Sequence, residues 1–411
     1  MSPPLSPRRE LLLLLTLAGM QFTNILDFMI VMPLGPQFTR LFGISDAQFG
    51  LLVSTYMLAG GLSGLAAAAY VDRFSRKRLL LFCYAVFGLA SLGSAMAPGY
   101  AVLMAARLLA GMVGGIIAAL CYTIIGELIP FERRGRAMAI LMSAFSLATV
   151  AGLPLGLLLA ERWGWSAPFL AVAGISALFW LFAARTMPAL ADHLDWKERP
   201  PAWSAIAQVL ADTNHQKALG FSALLMGSSF VLVPYIALYM VSNTQLRTDQ
   251  LAYMYLCGGL LSIATARLVG VTTDRRGKVR TFRLFAGLAL LPMLIITLLR
   301  DVPAWAVIVV TSLMFMFMSG RAIPGSAIIT SAAQPQWRGA FMSLNASVQS
   351  AAMGLAALLT GQLISRDAQG YIQGYWMAAL IAIATSLLAM ALAGRLLLHG
   401  APAPAHALPP E

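Results

Sequence analysis

The sequence predicts an all-α membrane protein, with twelve transmembrane helices in two pseudo-symmetric six-helix bundles. Three observations carry this. The composition is too apolar for a water-soluble core, twelve apolar runs have membrane-crossing length, and paired loop motifs recur at one offset.

Of 411 residues, 59% are hydrophobic and 11% charged, whereas a soluble domain carries about a quarter charged residues. A bilayer solvates that much apolar surface. Lipid offers no partner to backbone N–H and C=O groups, so the spans must be helices or a closed barrel. The strand-sized alternation of a barrel is absent. Cys83, Cys121 and Cys257 each sit inside an apolar run, and their odd number implies no disulfide framework. The net charge is +12, yet the basic residues lie scattered in short loops. That pattern fits juxtamembrane loops and excludes a nucleic-acid-binding patch. The start, Ser6-Pro7-Arg8-Arg9-Glu10 before five leucines, superficially looks like a signal peptide. The apolar run continues through Met32 with no small-residue cleavage site, so it is read as the first span.

A helix crosses the hydrocarbon core in about 20 residues. Runs of that kind lie near Leu11–Leu34, Phe49–Val71, Leu79–Ala97, Ala101–Leu128, Ala137–Ala160 and Ala167–Ala184. Six more lie near Leu219–Met240, Leu251–Val271, Phe282–Leu299, Trp305–Ile323, Phe341–Ile364 and Tyr375–Leu398. Twelve crossings put both termini on one side. The connections on that side hold most of the basic residues, while the opposite set holds only Arg40, Arg162, Arg247, Arg300 and Arg366. The rich set is therefore expected in the cytoplasm, which places the chain in the cytoplasmic (inner) membrane with both termini inside. The expected organisation is a cytoplasmic segment 1–10, a bundle 11–184, a cytoplasmic linker 185–218, a bundle 219–398 and a disordered cytoplasmic tail 399–411. The linker carries Pro188, Pro200 and Pro201, and Trp203 to Leu210 reads as a short amphipathic surface helix.

The halves echo each other. Val71-Asp72-Arg73-Phe74-Ser75-Arg76-Lys77 follows the second span, and Thr273-Asp274-Arg275-Arg276-Gly277-Lys278 follows the eighth. Pro130-Phe131-Glu132-Arg133-Arg134-Gly135 follows the fourth, and Pro335-Gln336-Trp337-Arg338-Gly339 the tenth. The offsets are 202 residues for Asp72 and Asp274 and 204 for Gly135 and Gly339. A duplicated unit points to a transporter that rocks one half against the other.

These motifs resemble those of the major facilitator superfamily, and the resemblance covers essentially the whole chain. The family's Gly-x-x-x-Asp-Arg-x-Gly-Arg-Lys loop is matched at Asp72, Arg73, Arg76 and Lys77, with Ala68 and Ser75 in place of glycines. The second copy keeps Gly270, Asp274, Arg275, Gly277 and Lys278. The resemblance implies a gating latch at these residues that helps hold an outward-open state. In the fourth span Arg107, Gly111 and Gly115 match an arginine–glycine motif. In the fifth, Gly152, Pro154 and Gly156, followed by Gly164-Trp165, resemble the helix-5 motif of antiporters, with Leu153 where the glycine before proline stands. That string is similar to drug-efflux and sugar-efflux permeases, which implies export. The family's packing of helix 5 on helix 8 implies that Gly152 and Gly156 sit at a moving seam.

Charges inside the membrane are the best functional clues, because each is costly unless paired. Asp27 lies about 24 Å along the first helix and Arg107 about 9 Å below the opposite surface, which puts the two at similar depth. We read them as a protonation switch in which protonating Asp27 breaks an ion pair and frees Arg107. A fixed salt bridge, or a cap for a kink near Pro33, is the structural alternative. Gln21 and Asn24 share an arc with Asp27, and Asn345 and Gln349 stand at i and i+4 in the eleventh span. All four are candidates for the substrate cavity or, equally, for interhelical hydrogen bonds. Arg321, just before Pro324, reads as reaching toward the cytoplasmic surface, with anion binding as the alternative.

There is no Gly-x-x-x-x-Gly-Lys-Ser/Thr loop, so ATP-driven pumping by this chain is not expected. His193, His215, His399 and His406 fall in loops or tails, and no metal cluster or cofactor is expected. No catalytic constellation points to an enzyme. The reading is a monomeric secondary efflux transporter of drug-like or sugar-like small molecules, coupled to protons by alternating access. An uptake carrier, a uniporter or a non-transporting receptor are the rivals.

Overall fold

A computed structural model describes residues 7–188 and 202–399, without the side chains of residues 7, 68–70, 72, 131–132, 202–205 and 335. The linker stretch 189–201 and the tail from 400 lie outside the described residues. The first half runs α1 (Pro7–Ile30), α2 (Gly35–Phe42), α3 (Asp46–Tyr70), α4 (Arg76–Ala95), α5 (Tyr100–Leu128), α6 (Phe131–Leu147), α7 (Leu153–Trp163) and α8 (Ala167–Thr186). Then come α9 (Ala202–Ala211), α10 (Thr213–Phe230), α11 (Ile236–Asn243), α12 (Leu251–Arg276), α13 (Lys278–Ile295), α14 (Ala304–Ala332), α15 (Arg338–Leu363) and α16 (Tyr375–Ala393). Among the described residues, 11 helical segments are long and apolar enough to cross a membrane. The remaining candidate, α13, is 18 residues long and opens on Lys278, Arg280 and Arg283, which dilute an otherwise apolar helix. It packs on α14 and α16 as a spanning helix would, consistent with twelve crossings.

Prolines break two spans. Pro154 has no N–H to give and its ring crowds the carbonyl four residues back. The chain between α6 and α7 therefore passes through a π turn at Ala148–Gly152, in which Leu153 N–H reaches back five residues to Ala148 O. At Pro234, α10 gives way to a 3₁₀ turn, Val233–Tyr235, before α11. Unpaired carbonyls in lipid would be costly, and side chains meet them here. Thr360 Oγ1 donates to Val231 O at 2.7 Å and Tyr375 Oη to Leu232 O at 2.7 Å.

The end bearing the termini and most arginines is called the basic end below. At the opposite end one apolar core unites both halves, drawing Phe38, Phe49, Leu153 and Phe169 together with Tyr235, Met293, Ala357 and Tyr375. Toward the basic end the core divides. One part holds Leu17, Tyr84, Ile117 and Leu141 of the first half, and the other holds Phe221, Phe282, Ile328 and Phe341 of the second. The halves are thus joined at one end and have separate interiors at the other. The α3–α15 seam is the main suture. An added Cβ at Gly354 would come within 2.7 Å of Leu58 Cγ, and one at Gly61 within 2.9 Å of Ser350 Cβ.

Two local elements were not expected from the sequence. Helix α2 packs against α3 and α11 with Phe38 fully buried. A two-stranded hairpin, β1 (Ser365–Arg366) and β2 (Ile372–Gln373), closes the loop before α16, with Arg366 opposite Ile372. Desolvation opposes ionisation of its Asp367, but hydrogen bonds from Gln373, Tyr371 and Gln369 and the charge of Arg300 hold the carboxyl below its usual range. The expected linker helix is present as α9, but Val209 is fully buried against α10 and α15, so it is a docked strut.

Candidate functional site

Asp27, near the end of α1, and Arg107, two turns into α5, meet in a region closed to solvent. Arg107 Nη1 lies 2.6 Å from Asp27 Oδ2, with both side chains 0% exposed. Arg107 Nη2 donates to Asp27 Oδ1 at 3.2 Å, and Ser91 Oγ donates to the same oxygen at 2.9 Å. Ser94, one turn further along α4, accepts from Arg107 Nη2 at 2.7 Å and from Nε at 3.2 Å. The guanidinium also lies over the rings of Phe169 and Tyr56, 5.1 and 5.7 Å from their centroids. All donors on the charged face of Arg107 are thereby used. A buried pair stripped of one partner leaves an uncompensated charge that costs about 3–5 kcal/mol, so any event that neutralises Asp27 destabilises this packing.

Asn24, one turn before Asp27, extends the network. Its Nδ2 donates to Gly114 O at 3.2 Å, and Tyr56 Oη donates to its Oδ1 at 2.8 Å. An added Cβ at Gly114 would stand 2.6 Å from Asn24 Oδ1, so glycine is needed for this contact between α1 and α5. Gln349 Nε2 donates to Ser222 Oγ at 2.9 Å, tying α15 to α10. Gln21 Oε1 and Asn345 Oδ1 are buried with no partner. Of the four cavity candidates, Asn24 and Gln349 bind helices together, while Gln21 and Asn345 keep a free acceptor.

Among the described residues, several expected latch side chains have partners within their own half. Arg76 pairs with Glu127 of α5 at 2.9 Å and Lys77 Nζ donates to Met187 O at 2.6 Å, both within the first half. Arg73, Asp274 and Arg275 are exposed, and Lys278 Nζ donates to Ser331 Oγ within the second half. The side chain of Asp72 lies outside the described residues. Gly277 takes φ +86° between α12 and α13, a left-handed value that suits glycine.

The helical membrane frame can be set beside known proteins. The sequence profile of the Major Facilitator Superfamily matches residues 17–357. The chain belongs to the major facilitator superfamily. An uncharacterised MFS-type transporter of Bacillus subtilis is 24% identical over 357 residues, covering 86% of this chain and 89% of the relative. A chloramphenicol efflux pump of Mycobacterium tuberculosis is 26% identical over 258 residues, covering 60% of this chain and 59% of the pump. The crystal structure of a bacterial homologue of the human lysosomal transporter Spinster, inward-facing and unoccupied, superposes with a TM-score of 0.75 at 17% identity, over 97% of this chain and 100% of that one. The protein is a multi-pass membrane transporter, not an enzyme.

One expectation for this transporter is corrected. Arg321 does not reach toward a surface. It is 1% exposed, donating from Nη1 to Ser386 Oγ and from Nη2 to Ser229 Oγ, each at 2.8 Å. It lies about three turns from the basic end of α14, and neighbouring α10 and α16 enclose it. Gly152 and Gly156 sit in the stretch that packs on α12 of the other half, with their Cβ sides turned toward α1. An added Cβ would meet Leu26 at 3.0 Å from Gly152 and Ile30 at 2.7 Å from Gly156, so both serve the close approach of α1. The same stretch meets α12 directly, where a Cβ on Gly259 would stand 3.1 Å from Val150 Cγ2.

Sequence reasoning missed the charged bolt at the joined end. Arg366 of β1 pairs with Asp46, the first residue of α3, at 2.9 Å, with Asp46 6% and Arg366 36% exposed. Asp46 follows Ser45, which forms a capping box with Gln48, so the acid read as an ordinary first-turn residue. Ser91 and Ser94 were visible only as small polar residues at i and i+3 in an apolar span.

Proposed function

We propose that this facilitator is a proton-coupled exporter that exchanges small molecules, drug-like or sugar-like, for protons by alternating access. The observation that carries the reading is the Asp27–Arg107 pair, the one fully buried acid–base pair among the described residues. It joins α1 to α5, and its serine and aromatic partners bring in α3, α4 and α8. A proton on Asp27 removes the charge that holds Arg107, and the packing of these helices then favours another arrangement. Both halves of the pair lie in the joined end, so a change there bears on the suture between halves. The basic loops support a cytoplasmic location for the basic end in the inner membrane. On that orientation the chain is joined at the outer face and divided at the cytoplasmic face. The latch residues then belong to the alternate state. The similarity to a chloramphenicol efflux pump favours export.

The test is flux in proteoliposomes with an imposed pH gradient, read for a panel of labelled compounds including chloramphenicol. The reading expects accumulation driven by the gradient in wild type and loss of that dependence in Asp27→Asn. Gradient-driven accumulation that survives in Asp27→Asn would remove Asp27 from the coupling step.

A further inference from the structure

Among the described residues, every buried charged side chain has an opposite charge within reach except one. Asp27 has Arg107, Asp46 has Arg366 and Arg76 has Glu127. Arg321 has no carboxylate within ion-pair distance, only the hydroxyls of Ser229 and Ser386, and its Nε is buried with no partner at all. A guanidinium in a low-dielectric interior demands a negative charge or water, and two neutral hydroxyls supply neither.

The surroundings indicate what supplies it. Ser386 is buried, but Ser229 is only partly buried, so Ser229 marks the side from which the cluster is reached. The next residue, Phe230, stacks on Phe28 of the other half at 6.2 Å, and Phe28 stacks on Tyr56 at 5.4 Å. All three rings are partly exposed. The cluster therefore adjoins an aromatic surface where the halves face each other. On the first-half side of that surface, Arg107 is already neutralised by Asp27. On the second-half side, Arg321 has only the hydroxyls of Ser229 and Ser386 for partners.

We propose that Arg321, with Ser229 and Ser386, is the recognition site for the anionic group of an aromatic organic acid. The carboxylate takes the free Nε and one terminal nitrogen of the guanidinium, in the two-pronged geometry that arginine offers and lysine does not. The serine hydroxyls turn to donate to its oxygens, and the ring lies against Phe28 and Phe230. This deepens the exporter reading, on which it rests, by naming a substrate class. It also divides labour between the halves, with the proton handled at Asp27 and the anion at Arg321.

The test measures binding, with no gradient, on the full-length protein in detergent micelles. The probes are benzoate, its neutral isostere benzamide, and inorganic phosphate, each titrated calorimetrically. Wild type is expected to bind benzoate at least about tenfold more tightly than benzamide, in line with charge-assisted hydrogen bonds. Arg321→Gln brings that ratio to about one, and Arg321→Lys, which keeps the charge and guards against a misfolded first variant, retains a reduced preference. Equal binding of benzoate and benzamide to wild type, no benzoate binding, or a ratio unchanged in Arg321→Gln overturns the site. Phosphate displacing benzoate at equal concentration overturns the organic-acid assignment. Benzoate that binds at Arg321 but is never moved in proteoliposomes leaves the site standing and sinks the exporter reading.

Discussion

Substituting Gly361 by alanine wedges apart the suture on which alternating access depends. Gly361 lies near the end of α15, and a Cβ there would stand 2.5 Å from Tyr235 Oη, 3.2 Å from Ala47 Cα and 3.4 Å from Asp46 O. Ala47 and Asp46 belong to α3 of the other half. The backbone of α3 cannot turn aside as a side chain does. Tyr235 is fully buried, donates to Ala357 O at 3.0 Å and packs edge-on against Phe49. Bringing the hydroxyl from 2.5 Å to ordinary contact at 3.4 Å therefore means moving a locked ring. Overpacking of this kind costs about 1–3 kcal/mol. The Tyr235 contact lies within the second half and persists when the halves part, whereas the approach to Ala47 and Asp46 exists only in the joined state. That share, about 1–2 kcal/mol, lowers the ratio of joined to parted molecules roughly 5- to 30-fold. Spin labels at Arg40→Cys and Gln369→Cys report it, since both sites are exposed at this end, one in each half. Cys257, the exposed native thiol, is replaced by serine, while Cys83 and Cys121 are buried. The distance distribution of Gly361→Ala is expected to gain a longer component absent from wild type. Folded Gly361→Ala protein with the wild-type distribution would refute the idea that this seam opens as a unit.

Three further outcomes follow from the same geometry. Asp27→Asn leaves Arg107 buried without a counter-charge and is expected to lower unfolding stability by about 3 kcal/mol or more, whereas Asp27→Asn/Arg107→Gln recovers part of the loss, as read by denaturant unfolding in micelles. Arg366→Gln removes the partly exposed bolt to Asp46 and is expected to shift the same spin-label distances toward the parted state, by less than Gly361→Ala, because a half-exposed pair is worth about 1 kcal/mol. The hairpin at 365–373 is expected to loosen in acid. The carboxyl of Asp367 is held below its usual range, so its contribution is complete above the ordinary carboxylate pKa and is lost as pH falls through the lowered value. Amide exchange across 365–373 at pH 7 and pH 3 reads this directly.

What the sequence made legible depended on the range of the forces involved. The spans emerged from composition alone, because bilayer thickness and backbone hydrogen bonding constrain every residue in a run. The observed helices overrun the expected ones mainly at their basic ends, where Arg76, Lys278 and Arg338 stand inside the first turn. Charged residues there still form helix while standing outside the hydrocarbon. The meeting of Asp27 with Arg107 was legible because a buried acid must find a base at its own depth. Arg321 was misread because depth along a helix does not tell which face a residue takes. Its enclosure depends on α10 and α16, far away in sequence. The bolt of Asp46 to Arg366 joins residues 320 positions apart, and nothing local marks either one.

The most direct measurement counts protons. Purified wild-type protein in weakly buffered solution with a pH indicator is given a transported compound, and the same is done with Asp27→Asn. If Asp27 carries the coupling proton, substrate addition releases protons from wild type in proportion to occupancy and releases none from the variant. Equal release from both proteins, or none from wild type while substrate demonstrably binds, would contradict the account.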